Sequence, residues 1–230
     1  MGNLISFPNM LTLLSGLSGL IPIIFFLIFF RRNNGVILWV IFVYALFSIS
    51  TDIGYLILHK SEIAKFYIFS TFTIVEYTLF AIFFYLNLKF HRIKRFIIVS
   101  SIAFFIFAIY SMIKSIDHKF DSLPASVESV LIICFCIFFL YEELRNPEIS
   151  LVIYTSKKFW ITIAIFIYLA ATLFLFISTA YISEEERKAY WPINYFANII
   201  KNLLLTVAFV LRSEKPISSP FKKSYSLQTK

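Results

Sequence analysis

The chain is a succession of long apolar runs separated by short polar segments. A helix needs about 20 mainly apolar residues to cross a bilayer. Seven runs qualify: Met10–Phe30, Val36–Leu58, Ile63–Leu88, Phe96–Ile113, Ala125–Tyr141, Phe159–Ile182 and Ile193–Leu211. These runs are apolar on all sides, whereas the strands of a membrane barrel alternate apolar and polar residues. The pattern therefore predicts an all-α, polytopic transmembrane bundle of seven helices.

Two of the seven runs are weaker than the others. Ala125–Tyr141 is short and carries Glu128 near its start, and Ile193–Leu211 is interrupted by Lys201 and three asparagines. No connection between the runs is long enough for a soluble domain. We therefore predict one seven-helix membrane domain over residues 1–212. Residues 213–230 are rich in Ser, Lys and Pro, which predicts a basic, disordered cytoplasmic tail.

The composition agrees with a lipid environment. Hydrophobic residues make up 60% of the chain and charged residues 15%, against roughly 25% charged in a soluble domain. The net charge of +8 comes from basic residues at the ends of the apolar runs, where they favour anionic lipid headgroups. We expect the lipid bilayer and a cytoplasmic or membrane protein as partners and no nucleic acid, and the oligomeric state stays open.

The distribution of basic residues predicts the orientation. Lys and Arg are enriched in cytoplasmic loops. If the N-terminus lies outside, fourteen of the 21 basic residues fall in cytoplasmic segments, six fall in outer segments and Lys201 lies within a span. Each of Trp39, Trp160 and Trp191 then lies at a membrane interface, where indoles are enriched. We predict an outside N-terminus and a cytoplasmic C-terminus.

The first predicted span contains a small-residue pair and a proline. Ser15 and Gly19 are four residues apart, a spacing that lets another helix approach closely. That neighbour could be another helix of the same bundle or a second copy of the chain. Pro22 is expected to kink the span.

Three charged residues interrupt the apolar spans. A charge at the centre of a membrane helix costs roughly 2.5–3.5 kcal/mol on insertion scales. Asp52 lies about 9 Å from the outer end of its span, Glu76 lies near the middle of the third, and Lys201 lies about 12 Å into the seventh. Polar residues recur around them at helical spacing: Tyr44, Ser48, Thr51, Tyr55 and His59; Thr73; Asn194 and Asn198.

These polar stripes are most easily satisfied by facing one another. We predict that Lys201 pairs with Glu76, that Asp52 lies nearby, and that the asparagines supply further hydrogen bonds. Two hypotheses stay open: a polar core that fixes helix register, and a ligand, ion or proton site. The residues of that site would be Asp52, Tyr55, Thr73, Glu76, Asn194, Asn198 and Lys201.

No enzyme pattern is evident in the sequence. The three histidines, His59, His91 and His118, lie at helix ends or in loops, and neither H-E-x-x-H nor G-x-S-x-G occurs. Cys134 and Cys136 point about 200° apart on a helix, so they cannot easily share a metal. We predict a non-enzymatic protein without catalytic or metal-binding residues, and the sequence names no cofactor.

Two functional families share parts of this arrangement. The pattern resembles microbial rhodopsins, in which a lysine of the seventh helix binds retinal and an acid of the third is its counter-ion, as Lys201 and Glu76 would be. It departs from them at Ala197, where an acid is usual, and around Trp160, which no helical proline follows. Small seven-helix sugar transporters have a similar layout, but their Pro-Gln pair is missing and the one glutamine is Gln228.

The whole chain most resembles a group of uncharacterised bacterial seven-helix membrane proteins. The similarity rests on short motifs: Pro22 with Phe29-Phe30-Arg31-Arg32, Tyr67 with Glu76-Tyr77, and Asn194, Asn198, Lys201 and Asn202. It implies the bacterial inner membrane as the location and a sensory or regulatory role. A small transporter or channel and a retinal-binding protein are the alternatives.

Overall fold

The structure is a computed structural model that describes residues 7–58, 60–114, 122–145, 153–178, 183, 186 and 189–212, with the backbone alone for residues 7–9 and 62. The predicted tail over residues 213–230 and His59 lie outside the described residues. The main helices are α1 Phe7–Ser18, α2 Leu20–Ile28, α3 Val36–Ile57, α4 Glu62–Asn87, α5 His91–Lys114, α6 Ser122–Leu144, α7 Lys157–Ser178 and α8 Pro192–Val210.

The described part of the chain confirms an all-helical bundle with seven spans. Seven stretches are long and apolar enough to cross a membrane, the first of them Met10–Ile28, which joins the end of α1 to α2. The fifth span, predicted to be short, is α6, with 23 residues. The fourth begins at His91, whereas hydropathy predicted Phe96. The prediction was late because the helix opens with Arg92, Lys94 and Arg95, which a hydropathy pattern leaves out of a span.

The first span is broken at Gly19, three residues before the proline that was expected to kink it. α1 ends at Ser18 and α2 begins at Leu20. The proline ring at position 22 crowds the carbonyl group four residues earlier, that of Ser18. The chain responds with a tighter turn, in which the Gly19 N–H donates to the Gly16 carbonyl at 3.2 Å.

The seven spans close into a ring, in which each packs against the next and the seventh packs against the first. The small residues of the first span form this closing contact. Asn198 and Asn202 of α8 donate to the hydroxyls of Ser15 and Ser18, both at 2.9 Å. A methyl group on Gly19 would lie 3.0 Å from Ile49 of α3. The small residues therefore serve packing within the bundle.

The interior of the ring divides into two halves. One half carries the connection between α2 and α3 and is filled with aromatic rings. Phe26 stacks on Phe42 with 4.1 Å between ring centroids, and it meets Phe209 and Trp39 edge-on at 5.1 and 5.3 Å. We call it the anchored half, after its buried Asn33, Glu142 and Lys157. The other carries the connection between α3 and α4, and we call it the cavity half.

Candidate functional site

A buried hydrogen-bonded chain of three side chains lies where the two halves meet. The Lys201 ammonium donates to the Tyr44 hydroxyl at 2.6 Å, and that hydroxyl donates to Oε1 of Glu76 at 2.8 Å. Lys201, Glu76 and Tyr44 are each at most 4% exposed. They come from α8, α4 and α3, so this chain ties three spans together.

Aromatic rings surround the Lys201 ammonium. Its nitrogen lies 4.3 Å from the ring centroid of Tyr168 on α7 and 4.9 Å from that of Tyr44. A cation over a ring face is attracted by the ring quadrupole, and more strongly where water is excluded. Ala197 and Leu205, one turn away on each side, are buried as well, so the helical repeat places Lys201 on the inner face of α8.

A cavity of about 110 Å³ opens beside this chain in the cavity half. Five helices line it: α3, α4, α6, α7 and α8. Its polar lining includes Asp52, Thr73, Glu76, Glu128, Asn194, Asn198 and Lys201. A cavity of this volume with polar walls has room for several water molecules or a small ligand.

Six of the seven predicted site residues line this cavity. Thr73 and Glu76 are buried, Asn194 and Asn198 are half-buried, and Lys201 lies at the inner end. Asp52 is exposed, so it belongs to the mouth of the cavity rather than to the buried cluster.

Tyr55 is the predicted site residue that the structure places elsewhere. Its side chain is 37% exposed, and its ring lies 5.3 Å from that of Phe69. The nitrogen of Lys65 lies 5.8 Å from its centroid. Tyr55 is in the last turn of α3 and is not among the residues that line the cavity.

The predicted pairing of Lys201 with Glu76 is mediated by a third side chain. The Tyr44 hydroxyl lies between the two charged groups, accepting from Lys201 at 2.6 Å and donating to Oε1 of Glu76 at 2.8 Å. Asn202, expected among the hydrogen-bond partners of this cluster, bonds to Ser18 instead. Helical spacing predicts the depth of each charged group and the helix face on which it lies. It does not predict which side chain of a third helix will lie between two such groups.

Glu128 and Tyr168 are site residues that sequence analysis missed. Glu128 is 2% exposed, lines the cavity, and its Oε1 has no hydrogen-bond partner. In the sequence, Glu128 counted only as a reason why the fifth apolar run was a weaker candidate for a span. A signal was available in the buried serines Ser122, Ser126 and Ser129, which give this turn of α6 a polar face.

The anchored half satisfies its buried charges differently. Lys157 donates to Oδ1 of Asn33 at 2.7 Å and to the Arg32 carbonyl at 3.2 Å, and Asn33 donates to the Phe209 carbonyl at 3.1 Å. The two carboxylate oxygens of Glu142 accept the backbone N–H groups of Lys89 and Phe90, at 2.8 and 3.1 Å. Those N–H groups precede α5, whose positive helix end also favours an anion.

Neither a metal site nor similarity to known proteins assigns a function to this chain. Among the residues that the structure describes, no three His, Cys, Asp or Glu side chains come together as a metal site. The chain matches no protein-family model, no curated protein and no solved structure. The functional argument therefore rests on the geometry of the cavity.

Proposed function

We propose that this protein is a non-enzymatic, sensory or regulatory membrane protein that binds a small cationic ligand, an ion or a proton in its cavity. One observation carries the proposal: the buried charges of the cavity half do not balance. Glu76 and Lys201 are joined through Tyr44, whereas the buried Oε1 of Glu128 has no hydrogen-bond partner among the described residues.

The excess of negative groups in the cavity indicates that the bound species is positively charged. An isolated ionised carboxylate is costly to bury, so it either holds a proton or meets a cation. Asp52 adds a further negative charge at the mouth of the same cavity. A proton or a small cation would offset this excess, and an anion would increase it.

The packing below the cavity favours binding over conduction. Beyond Tyr44, whose ring centroid lies 4.5 Å from that of Phe80, the interior is filled by the aromatic cluster around Phe26. α8 continues past that cluster from Lys201 to Phe209, about 12 Å along a single helix. The Phe209 carbonyl accepts from Asn33, so α8 connects the cavity to the anchored half. This link supports a signalling role with a partner at the anchored half.

In the proposed topology the cavity half lies toward the outer side of the membrane. The bias of basic residues supports an outside N-terminus and a cytoplasmic C-terminus, and the resemblance to bacterial proteins supports the inner membrane. Reporter fusions after Arg212 and within residues 184–189 test this orientation. A cytoplasmic signal from residues 184–189 would overturn it.

Two experiments on the purified protein in lipid nanodiscs and liposomes test the function. The protection of residues 30–36 and 157–160 against hydrogen exchange, corrected for the intrinsic pH dependence of amide exchange, should change between mildly acidic and mildly basic buffer, and this change should be absent in Glu76→Gln. The ionisable groups that line the cavity are Asp52, Glu76, Glu128, Lys201 and Tyr168, and Tyr44 is bonded to Glu76 and Lys201 beside it. Proton or cation flux into liposomes that Glu76→Gln abolishes would replace the sensory proposal with a small transporter or channel.

The retinal alternative is less compatible with the cavity. Pockets for ligands of that size enclose roughly 300–1,000 Å³, and this cavity encloses about 110 Å³. The Lys201 nitrogen is also bonded to Tyr44. Expression with added retinal provides the test, since a visible absorbance band that disappears in Lys201→Ala would establish a chromophore.

A further inference from the structure

The cavity combines a free buried carboxylate with aromatic walls. Glu128 lies 2% exposed on α6, and its Oε1 is fully buried without a hydrogen-bond donor. Of the other two carboxylates that line the cavity, Glu76 accepts a hydrogen bond from Tyr44 at Oε1, and Asp52 lies exposed at the mouth. The aromatic lining comprises Phe69, Phe72, Tyr168, Phe176 and Trp191.

We infer that this cavity is a binding site for a small primary alkylammonium ion, with Glu128 as the acceptor of its N–H groups and the rings as the wall around its alkyl part. The inference rests on the proposed function and names its ligand class.

The chemistry of the walls favours an organic cation over a divalent metal ion. Divalent cations require several oxygen ligands around one point, and no three His, Cys, Asp or Glu side chains among the described residues lie close enough to hold one metal ion. An ammonium group needs fewer oxygens, because ring faces attract its charge and apolar rings accommodate its carbon atoms. Lys201 already shows this environment inside the same bundle, with its ammonium over the rings of Tyr44 and Tyr168.

The need for an N–H donor separates primary from quaternary ammonium ions. Glu128 has a buried oxygen that lacks a donor, and a quaternary ion has none to offer. A buried acceptor that stays unsatisfied carries a desolvation penalty. A primary ammonium satisfies the charge and the hydrogen bond together.

The volume limits the length of the ligand. An engineered apolar cavity of about 150 Å³ takes benzene, and this one encloses about 110 Å³. By that comparison it accommodates about four non-hydrogen atoms. Methylammonium and n-propylammonium are therefore suitable probes, and tetramethylammonium is a probe of similar size and equal charge without N–H groups.

Binding of radiolabelled methylammonium to the purified protein in phosphatidylcholine nanodiscs tests the inference. We expect saturable binding that n-propylammonium displaces and that tetramethylammonium displaces at least tenfold less effectively. Glu128→Gln should weaken binding at least tenfold. Glu143→Gln is the matched control on the same helix, since Glu143 lies at the other end of α6, 3.8 Å from Lys89, and should leave binding unchanged.

Trp191 provides a second measurement on the protein with its cavity residues intact. In a Trp39→Phe, Trp160→Phe background, n-propylammonium should shift the Trp191 emission, and tetramethylammonium should not. Equal displacement by the two ions, or binding unchanged in Glu128→Gln, would overturn the inference. If no amine binds while the hydrogen-exchange response that depends on Glu76 persists, the alkylammonium assignment fails and the proposed function stands. If both are absent, both fail.

Discussion

Glu128 and Glu142 lie on the same helix, about four turns apart, and both are buried. Glu142 accepts backbone N–H groups with both carboxylate oxygens, whereas Oε1 of Glu128 has no hydrogen-bond partner among the described residues. The difference teaches that burial of a charge identifies no site by itself. A candidate binding site differs from a structural charge in that the surrounding protein leaves its hydrogen bonds unsatisfied.

Lys157 and Lys201 repeat the contrast. Lys157 is held by the Asn33 side chain and by a backbone carbonyl, both fixed parts of a short connection. Lys201 bonds to a tyrosine hydroxyl that bonds in turn to a carboxylate beside a cavity. Protonation or ligand binding at that carboxylate can redistribute the second set of bonds. Hence the anchored half is suited to stability and the cavity half to response.

The largest effect is expected where the anchored half loses its central amide. Asn33→Ala removes the acceptor of Lys157 and the donor to Phe209, leaving a buried cation and a carbonyl without these bonds. We expect a loss of about 1–3 kcal/mol in the free energy of unfolding. Denaturation of the detergent-solubilised protein measures it.

The neighbouring Asn34 is exposed, so Asn34→Ala is the matched control and should have little effect. Equal losses from the two substitutions would show that the buried network of Asn33 contributes nothing and would remove one side of the comparison.

A smaller effect is expected at the chain between the two halves. Tyr44→Phe removes the hydroxyl that joins Lys201 to Glu76. Interhelical hydrogen bonds in membrane proteins average about 0.6 kcal/mol and reach about 1.7 kcal/mol in double-mutant cycles. A cycle of Tyr44→Phe with Lys201→Met should give a coupling energy in the upper part of that range, because the bond is charge-assisted.

The exposed Tyr141 provides the control for that cycle, since Tyr141→Phe should show no coupling to Lys201→Met. If Tyr44 also shows none, Lys201 and Glu76 act independently of the hydroxyl between them.

A still smaller loss of stability is expected for Glu142→Gln in the anchored half. The amide keeps one oxygen for Lys89 or Phe90 but loses the charge and the second acceptor at the start of α5. Loss of a helix cap costs about 1 kcal/mol. Hydrogen exchange should also increase at the first turn of α5, and unchanged exchange there would contradict the capping role.

Most of the fold was predictable, because membrane spans follow from the length and hydropathy of each run. Hydropathy located all seven spans but gave the fourth a late start, since Arg92, Lys94 and Arg95 occupy its first turn. It also gave no warning that the first span would break at Gly19, because the conflict between Pro22 and the Ser18 carbonyl is local.

The sequence predicted how deep the site residues lie and which helix faces carry them, but not which side chains bond to one another. Helical spacing placed Glu76 and Lys201 toward the interior, and both line the cavity. Tyr44 was recognised in the polar stripe of its span, yet nothing in one sequence shows that its hydroxyl lies between two charges. Glu128 was overlooked because an acid near the end of a weak span resembles an interfacial residue until the neighbouring helices bury it.

The smallest stability effect, and the most direct test of the comparison, is expected for Glu128→Gln measured beside Glu142→Gln. Both substitutions remove one charge from α6. The free energy of unfolding without ligand should not fall for Glu128→Gln, because the substitution replaces a buried carboxylate, whose Oε1 has no hydrogen-bond partner among the described residues, with a neutral amide. It should fall by about 1 kcal/mol for Glu142→Gln. A loss for Glu128→Gln equal to or larger than that for Glu142→Gln would contradict the account, since Glu128 would then be a structural residue.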